Sequence, residues 1–297
     1  MKTVIISGAG GFVGSELTNK MIENGISVIA VSMCFSNSFP QSELITRIEA
    51  DISDSEQMLR IIPTGTYEAF YHFAWAGVNG PQKADPLVQL ENIKMTMSCA
   101  MIAKKLGCRK FLCSGTIAEK AVESLPMLEK VNGGMIYGVA KHCTHLMLET
   151  YCKNIGLPFV WMQFSNIYGP QNKTGNLVSY TLGEILQGRE ATFGPAEQPY
   201  DFIYVNDLIE AIYRIGLYDT ADNCYFIGSG EPRILKDYLI EIGEKCGKTE
   251  LIKIGVRPDD GIVYKIEMFD NSKLIADIGE YVNKTFSESI MYTIENY

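Results

Sequence analysis

Nowhere does the chain approach the roughly 18–20 consecutive apolar residues that a membrane span needs, so no helical membrane anchor is expected within it. Paired cysteines are missing too. Cys34, Cys99, Cys108, Cys113, Cys143, Cys152, Cys224 and Cys246 form no CxxC pair, and several lie inside apolar runs. They read as free thiols of a reducing compartment, not as a disulfide framework. Histidine is scarce. His72, His142 and His145 have no carboxylate or cysteine cluster at metal-ligand spacing, so no metal is expected. Positive charge is in deficit, with 26 Lys and Arg against 35 Asp and Glu. The resulting net charge of −9 argues against nucleic acid or an anionic membrane as the main partner. A small anionic ligand then needs local donors that work against the global field. Internal repeats and low-complexity tracts are absent. The opening MKTVIISGAGGFVG has neither a long apolar h-region nor a small-residue cleavage site, which predicts a cytoplasmic protein.

What is present is an alternation of short apolar strands with amphipathic helices. TVIIS (3–7), SVIAV (27–31), a weaker segment at 45–50, AFYHFA (69–74), KFLCS (110–114) and FVWMQF (159–164) read as strands. Between them, helices are expected at 12–23, 55–62, 87–106 and 135–154, with Ser53 or Asp54 capping the second and Gly107 closing the third. Such alternation implies right-handed crossovers and a parallel sheet covered on both faces. After Ser165 the rhythm breaks in NIYGPQNKTGN. A strand and helix return in DFIYVNDLIEAIYRI, and NCYFIG (223–228) is a further candidate strand. The chain thus divides into a nucleotide-binding sheet domain (1–165 with about 200–228) and a smaller C-terminal lobe (166–199 and 229–297) folding over the carboxyl edge of the sheet.

Gly8, Gly11 and Gly14 follow the first strand directly and open a helix. That arrangement gives a tight turn, close backbone approach to a pyrophosphate, and a helix N-terminus aimed at the anion. The triplet reads G-x-x-G-x-x-G, with Gly10 as an extra. At the end of the second strand, where a ribose-binding acid is common, the chain has Ser32. Losing that carboxylate removes repulsion against a 2′-phosphate, so the cofactor is NAD or NADP and Ser32 favours NADP, although no arginine lies beside it. Asp51 either accepts from an adenine amino group or caps a turn.

YGVAK places Tyr137 and Lys141 one helical turn apart on one face. A hydroxyl gives up hydride only as its proton leaves, so hydride transfer requires a base beside it. A free phenol titrates near pH ~10; a lysine one turn away and a positive nicotinamide ring both favour phenolate.

SGAGGFVG, ADISD, HFAWAG, FLCSGT, YGVAK, NIYGP and DFIYVND, in that order, resemble the extended short-chain dehydrogenase/reductase family and, within it, the nucleotide-sugar epimerase/dehydratase branch. The resemblance covers nearly the whole chain. It implies a Rossmann-type doubly wound α/β fold with a smaller substrate lobe. It implies Tyr137 and Lys141 as catalytic residues, Thr116 as the hydroxyl orienting the sugar, and Ser114 beside the nicotinamide. The cofactor contacts it implies fall on Gly8, Gly11, Phe12, Val13, Gly14, Ser32, Asp51, Ile52, Phe73, Ala74, Ala76, Asn92 and Lys141. Substrate contacts fall on Asn166, Asn176 and Leu177, on Tyr200, and on Arg257, which matches a diphosphate-binding arginine and has a planar fork suited to phosphate.

Two positions depart from the family pattern. Tyr200, in PYDFIY, stands where relatives carry an arginine, and Gln163 replaces another arginine three residues before Asn166. Ile117 and Ala118 occupy the positions that 4,6-dehydratases fill with an Asp-Glu pair, and the cysteine of 3,5-epimerising reductases is absent as well. Reversible oxidation at one sugar carbon remains. The expected activity is NAD(P)-dependent C4 epimerisation of a nucleoside-diphosphate sugar through a transient 4-keto sugar. An NADPH-dependent 4-keto-sugar reductase is the alternative, and a non-catalytic dinucleotide sensor a third reading. Relatives imply a homodimer through helices 87–106 and 135–154.

Overall fold

The computed structural model describes residues 1–127, 131–172, 174–259, 261 and 264–297. Strands β1 (Thr3–Ser7), β2 (Ser27–Ser32), β3 (Ile45–Glu49), β4 (Ala69–His72), β5 (Phe111–Thr116) and β6 (Phe159–Phe164) fall where the apolar runs place them. Short strands follow: β7 (Asn166–Tyr168), β8 (Ala191–Thr192), β9 (Pro199–Tyr200) and β10 (Phe202–Tyr204). The last three are β11 (Cys224–Ile227), β12 (Arg233–Ile234) and β13 (Ile252–Lys253). The central sheet has seven strands in the order β11-β6-β5-β4-β1-β2-β3, and every pairing in it is parallel. NCYFIG therefore contributes the edge strand beside β6. The order reverses between β1 and β4, and a crevice at the carboxyl ends of these strands is the binding position in such sheets.

The helices are α1 (Phe12–Glu23), α2 (Ser55–Ile61), α3 (Pro86–Lys105), α4 (Met135–Ile155), α5 (Leu177–Ile185), α6 (Val205–Leu217), α7 (Leu235–Lys245), α8 (Ser272–Ile278) and α9 (Phe286–Glu295). Asp54, not Ser53, caps α2 by accepting from the Gln57 N–H at 2.9 Å. Side chains alternate across each strand, so Ile5, Phe70, Cys113 and Trp161 join Ala100, Ile102 and Leu148 of α3 and α4 in one apolar cluster. Val4, Ile6, Tyr71, Leu112 and Met162 face the other way, into a cluster that includes Leu17 of α1 and Ile212 of α6. The same cluster continues without interruption into Leu182 of α5, Leu239 of α7 and Ile290 of α9. These later helices thus share a core with one face of the sheet. Among the described residues, no helix is long and apolar enough to cross a membrane.

Candidate active site

The first βα turn is shaped by close backbone approach. Gly8 has φ +71°, and a Cβ there would lie 2.6 Å from the Ala74 backbone nitrogen. Gly10, an extra on sequence grounds, is sterically required: its Cβ would sit 2.4 Å from the Cys34 carbonyl oxygen and 2.7 Å from Ser32 Oγ. Gly11 caps helix α1 without a side chain to accept its N–H groups, and the first turn carries no acidic residue. Its first N–H groups are left for an anion.

This turn forms one wall of a cleft of about 420 Å³. Gly8, Gly11, Phe12, Val13, Gly14 and Phe73 line it on one side; Ser114, Thr116, Tyr137 and Lys141 line its floor; Asn166 of β7 and Asn176 and Leu177 at the start of α5 complete it. Residues more than 160 positions apart in sequence thus meet in a single crevice. An uncapped helix end and a glycine turn on one wall fit a dinucleotide pyrophosphate.

The other expected contacts lie elsewhere. Ser32 ends β2 beside Gly10. Asp51 is exposed, and its Oδ1 accepts from the Ser53 N–H at 2.9 Å, the turn reading of this residue. Ile52 is buried in the core beneath α2 and α3. The Ala74 backbone abuts Gly8. Asn92 is spent on the loop after β4: its Oδ1 accepts from the Ala76 N–H and its Nδ2 donates to the Ala76 carbonyl, both at 2.8 Å. Tyr200 donates its hydroxyl hydrogen to Asn166 Oδ1 at 2.8 Å, tethering a cleft residue. Arg257 sits in an adjoining cavity of about 240 Å³, which shares Leu177 with the cleft. There Arg257 donates to Thr192 Oγ1 at 2.8 Å and to the Tyr180 hydroxyl at 2.6 Å, and its guanidinium lies over the Tyr180 ring.

Lys141 is 2% exposed. Its Nζ donates to the Ser114 carbonyl at 2.7 Å and approaches Ser114 Oγ at 3.5 Å. Burial brings its pKa down to about 8, while the charges of Cys113 and Glu119 oppose the fall. Tyr137 moves the other way. Burial pushes the phenol well above its ordinary value, a hydrogen bond with Thr116 pulls it back, and the Glu119 charge pushes it up further. The chain's own groups therefore leave the phenol protonated. In a desolvated pocket the neutral phenol wins unless more positive charge arrives.

Three residues that the sequence reading did not single out shape this floor. The Trp75 indole faces the Lys141 ammonium, its ring centroid 3.7 Å from Nζ, and both residues line the cleft; Lys83 Nζ stands 5.4 Å from the Tyr137 ring centroid. Glu119, 2% exposed, accepts from the Thr116 N–H, the Trp161 indole and the Gln163 amide. Gln163, at a position where relatives carry an arginine, thus holds a buried carboxylate that does not line the cleft. Trp75 stands in HFAWAG, Lys83 in NGPQKAD and Glu119 just after FLCSGT, but no short-range pattern marks their partners. Among the described residues, no three His, Cys, Asp or Glu side chains are grouped to hold a metal ion.

The model of the NAD dependent epimerase/dehydratase family matches residues 4–228. UDP-glucose 4-epimerase of Mycolicibacterium smegmatis is 24% identical, covering 76% of this chain and 77% of that one. Among solved structures, UDP-glucose 4-epimerase of Thermotoga maritima with UDP-glucose has a TM-score of 0.84 at 24% identity, covering 99% and 98% of the two chains. dTDP-glucose 4,6-dehydratase of Bacillus anthracis in complex with NAD has a TM-score of 0.83 at 18% identity, covering 100% of this chain and 96% of that one.

Proposed function

This chain belongs to the NAD dependent epimerase/dehydratase family, and on that premise we propose that it epimerises a nucleoside-diphosphate sugar at C4 through a transient 4-keto sugar. One observation carries the reading: Tyr137, Lys141, Thr116 and Ser114 line the same cleft as the glycine turn, opposite Asn166, Asn176 and Leu177. NAD, when bound, supplies the hydride acceptor and a positive charge beside the phenol. Gly8, Gly11, Phe12, Val13 and Gly14 would hold its pyrophosphate half, and Phe73 and Lys141 its nicotinamide half.

The residues then divide the proton work. Thr116 orients the sugar hydroxyl, and the Tyr137 oxygen receives its proton and later returns it. Lys141, fixed on the Ser114 carbonyl, together with the positive charge that NAD would bring, holds Tyr137 as the phenolate that takes this proton, and taking it gives the neutral phenol. Asn176 and Leu177, at the α5 N-terminus, and Arg257 next to them hold the diphosphate and nucleotide, with Asn166 kept in place by Tyr200. Neither Ile117 nor Ala118 can supply the acid and base of a dehydration, and Glu119 faces Trp161 and Gln163, so water loss is not part of the scheme.

Ser32 at the end of β2 supports a second reading, an NADPH-dependent 4-keto-sugar reductase. A panel of UDP-, GDP-, CDP- and dTDP-sugars, assayed with NAD and with NADPH and followed by product mass and stereochemistry, separates the two. Isomerisation without added reductant supports the epimerase; stoichiometric NADPH consumption sinks it. The working unit is a homodimer. Helices α3 and α4 turn Leu90, Met101, Leu146 and Met147 outward, 42–57% exposed, a face suited to a second copy. Sedimentation of the purified chain as a monomer would contradict this.

A further inference from the structure

Lys141 is a charge taken out of water with little to replace it. One N–H goes to the Ser114 carbonyl at 2.7 Å, and among the described residues no carboxylate is within ion-pair distance of Nζ. The compensation comes from an aromatic face. Nζ stands 3.7 Å from the Trp75 ring centroid, with Trp161 farther off at 5.9 Å. A cation over an indole face is drawn to the ring quadrupole, most strongly where water is excluded.

Trp75 is itself held. Its Nε1–H donates to Gln89 Oε1 at 2.8 Å. Gln89 is 1% exposed and spends its amide hydrogens on the Gly77 and Gln82 carbonyls. Asn92 locks the next peptide, that of Ala76. The indole also presents an edge to Tyr137, with ring centroids 6.2 Å apart at 86°. The loop after β4 is thus stitched to α3 in a way that sets one ring plane against one ammonium.

We propose that Trp75 is a positioning residue for Lys141: its indole face, oriented by Gln89, keeps the ammonium protonated and aimed at Ser114 behind Tyr137. The proposal deepens the proton scheme given above and rests on it for its catalytic meaning. The other titratable and charged groups around Nζ are His72 on β4, Cys113 on β5, Glu119 after β5, Tyr137 on α4 and Lys83 beyond the Tyr137 ring. Glu119 and Cys113 favour the charged lysine. Burial disfavours it and brings the ammonium to about 8, within reach of an ordinary pH titration.

The chain has two tryptophans, and both face Nζ, so Trp161 remains a reporter when Trp75 is replaced. Intrinsic fluorescence of the ligand-free protein, titrated from neutral to alkaline pH, should show a step that Lys141→Met abolishes. In Trp75→Leu the midpoint should fall by on the order of one pH unit. Trp75→Phe, which keeps an aromatic face and is the gentler replacement, should lie between. An unmoved midpoint in both Trp75 variants overturns the proposal, as does a wild-type step that survives Lys141→Met. The readout needs neither substrate nor cofactor. A step that behaves as expected in a chain that turns over no nucleotide sugar would leave the clamp standing and remove the proposed reaction.

Discussion

The carboxylate of Glu119 accepts the backbone N–H of Thr116 at 2.7 Å, so the end of β5 is tied down from behind by a buried anion. The same carboxylate accepts the Trp161 indole N–H at 3.0 Å and the Gln163 amide at 3.1 Å. Removing it leaves three donors without a partner. Glu119→Ala is expected to lose roughly 2–4 kcal/mol of unfolding free energy, and Glu119→Gln, which keeps one acceptor, clearly less. Urea unfolding measures both, and an unchanged midpoint in the alanine variant would mean that the network contributes nothing.

Acid should destabilise the fold through its histidines. His72 is buried between Ser7 Oγ at 2.6 Å and Thr96 Oγ1 at 3.0 Å. Thr96 donates its hydroxyl hydrogen to the Asn92 carbonyl, so we assign the His72 proton to Nε2. Burial, helped by the Lys141 charge, holds the His72 pKa down to about 3; burial likewise holds His145 to about 4. An unfolded imidazole titrates near ~6.5. Between these values the unfolded chain binds protons that the folded chain refuses, so stability falls as pH drops below about 6.5. Each histidine contributes a slope of about 1.4 kcal/mol per pH unit. His145 stacks flat on Trp161, and its Nε2 is buried without a partner. His145→Phe keeps the stack and should flatten the slope of unfolding free energy between pH 5 and 6.5. A slope identical to wild type contradicts the assignment.

Arg257 lies in the cavity next to the cleft and not on its floor. Arg257→Met should therefore raise KM for the nucleotide sugar by roughly 10–100-fold, the equivalent of a charged hydrogen bond, and change kcat little. Steady-state kinetics across the sugar panel checks this. A fall in kcat at constant KM would place the guanidinium at the reacting carbon.

The sheet was legible because its signals are short-range. A period of two inside FVWMQF, a glycine run after TVIIS, and an i,i+4 pair in YGVAK each need fewer than ten residues to show. Partnerships across the sheet were not legible. Glu119 finds Trp161 only because β5 and β6 lie side by side, 42 positions apart in sequence. Trp75 meets Lys141 only because α4 packs over the loop after β4. Asn92 clamps Ala76, a role that depends on the depth of α3 against the sheet. The need for glycine at position 10 does not show in the sequence because its obstacle, the Cys34 carbonyl, belongs to the next strand's exit. The burial that opposes ionisation of Tyr137 is set by packing across the fold and does not show in the YGVAK spacing.

The most direct test of the account is Tyr137→Phe, assayed for turnover of the preferred nucleotide sugar and for NAD binding by calorimetry. The ring is kept and one oxygen is lost, so NAD affinity should stay within about twofold while turnover falls by roughly 10²–10⁴. Turnover close to that of the unaltered chain would show that a different group takes the sugar proton.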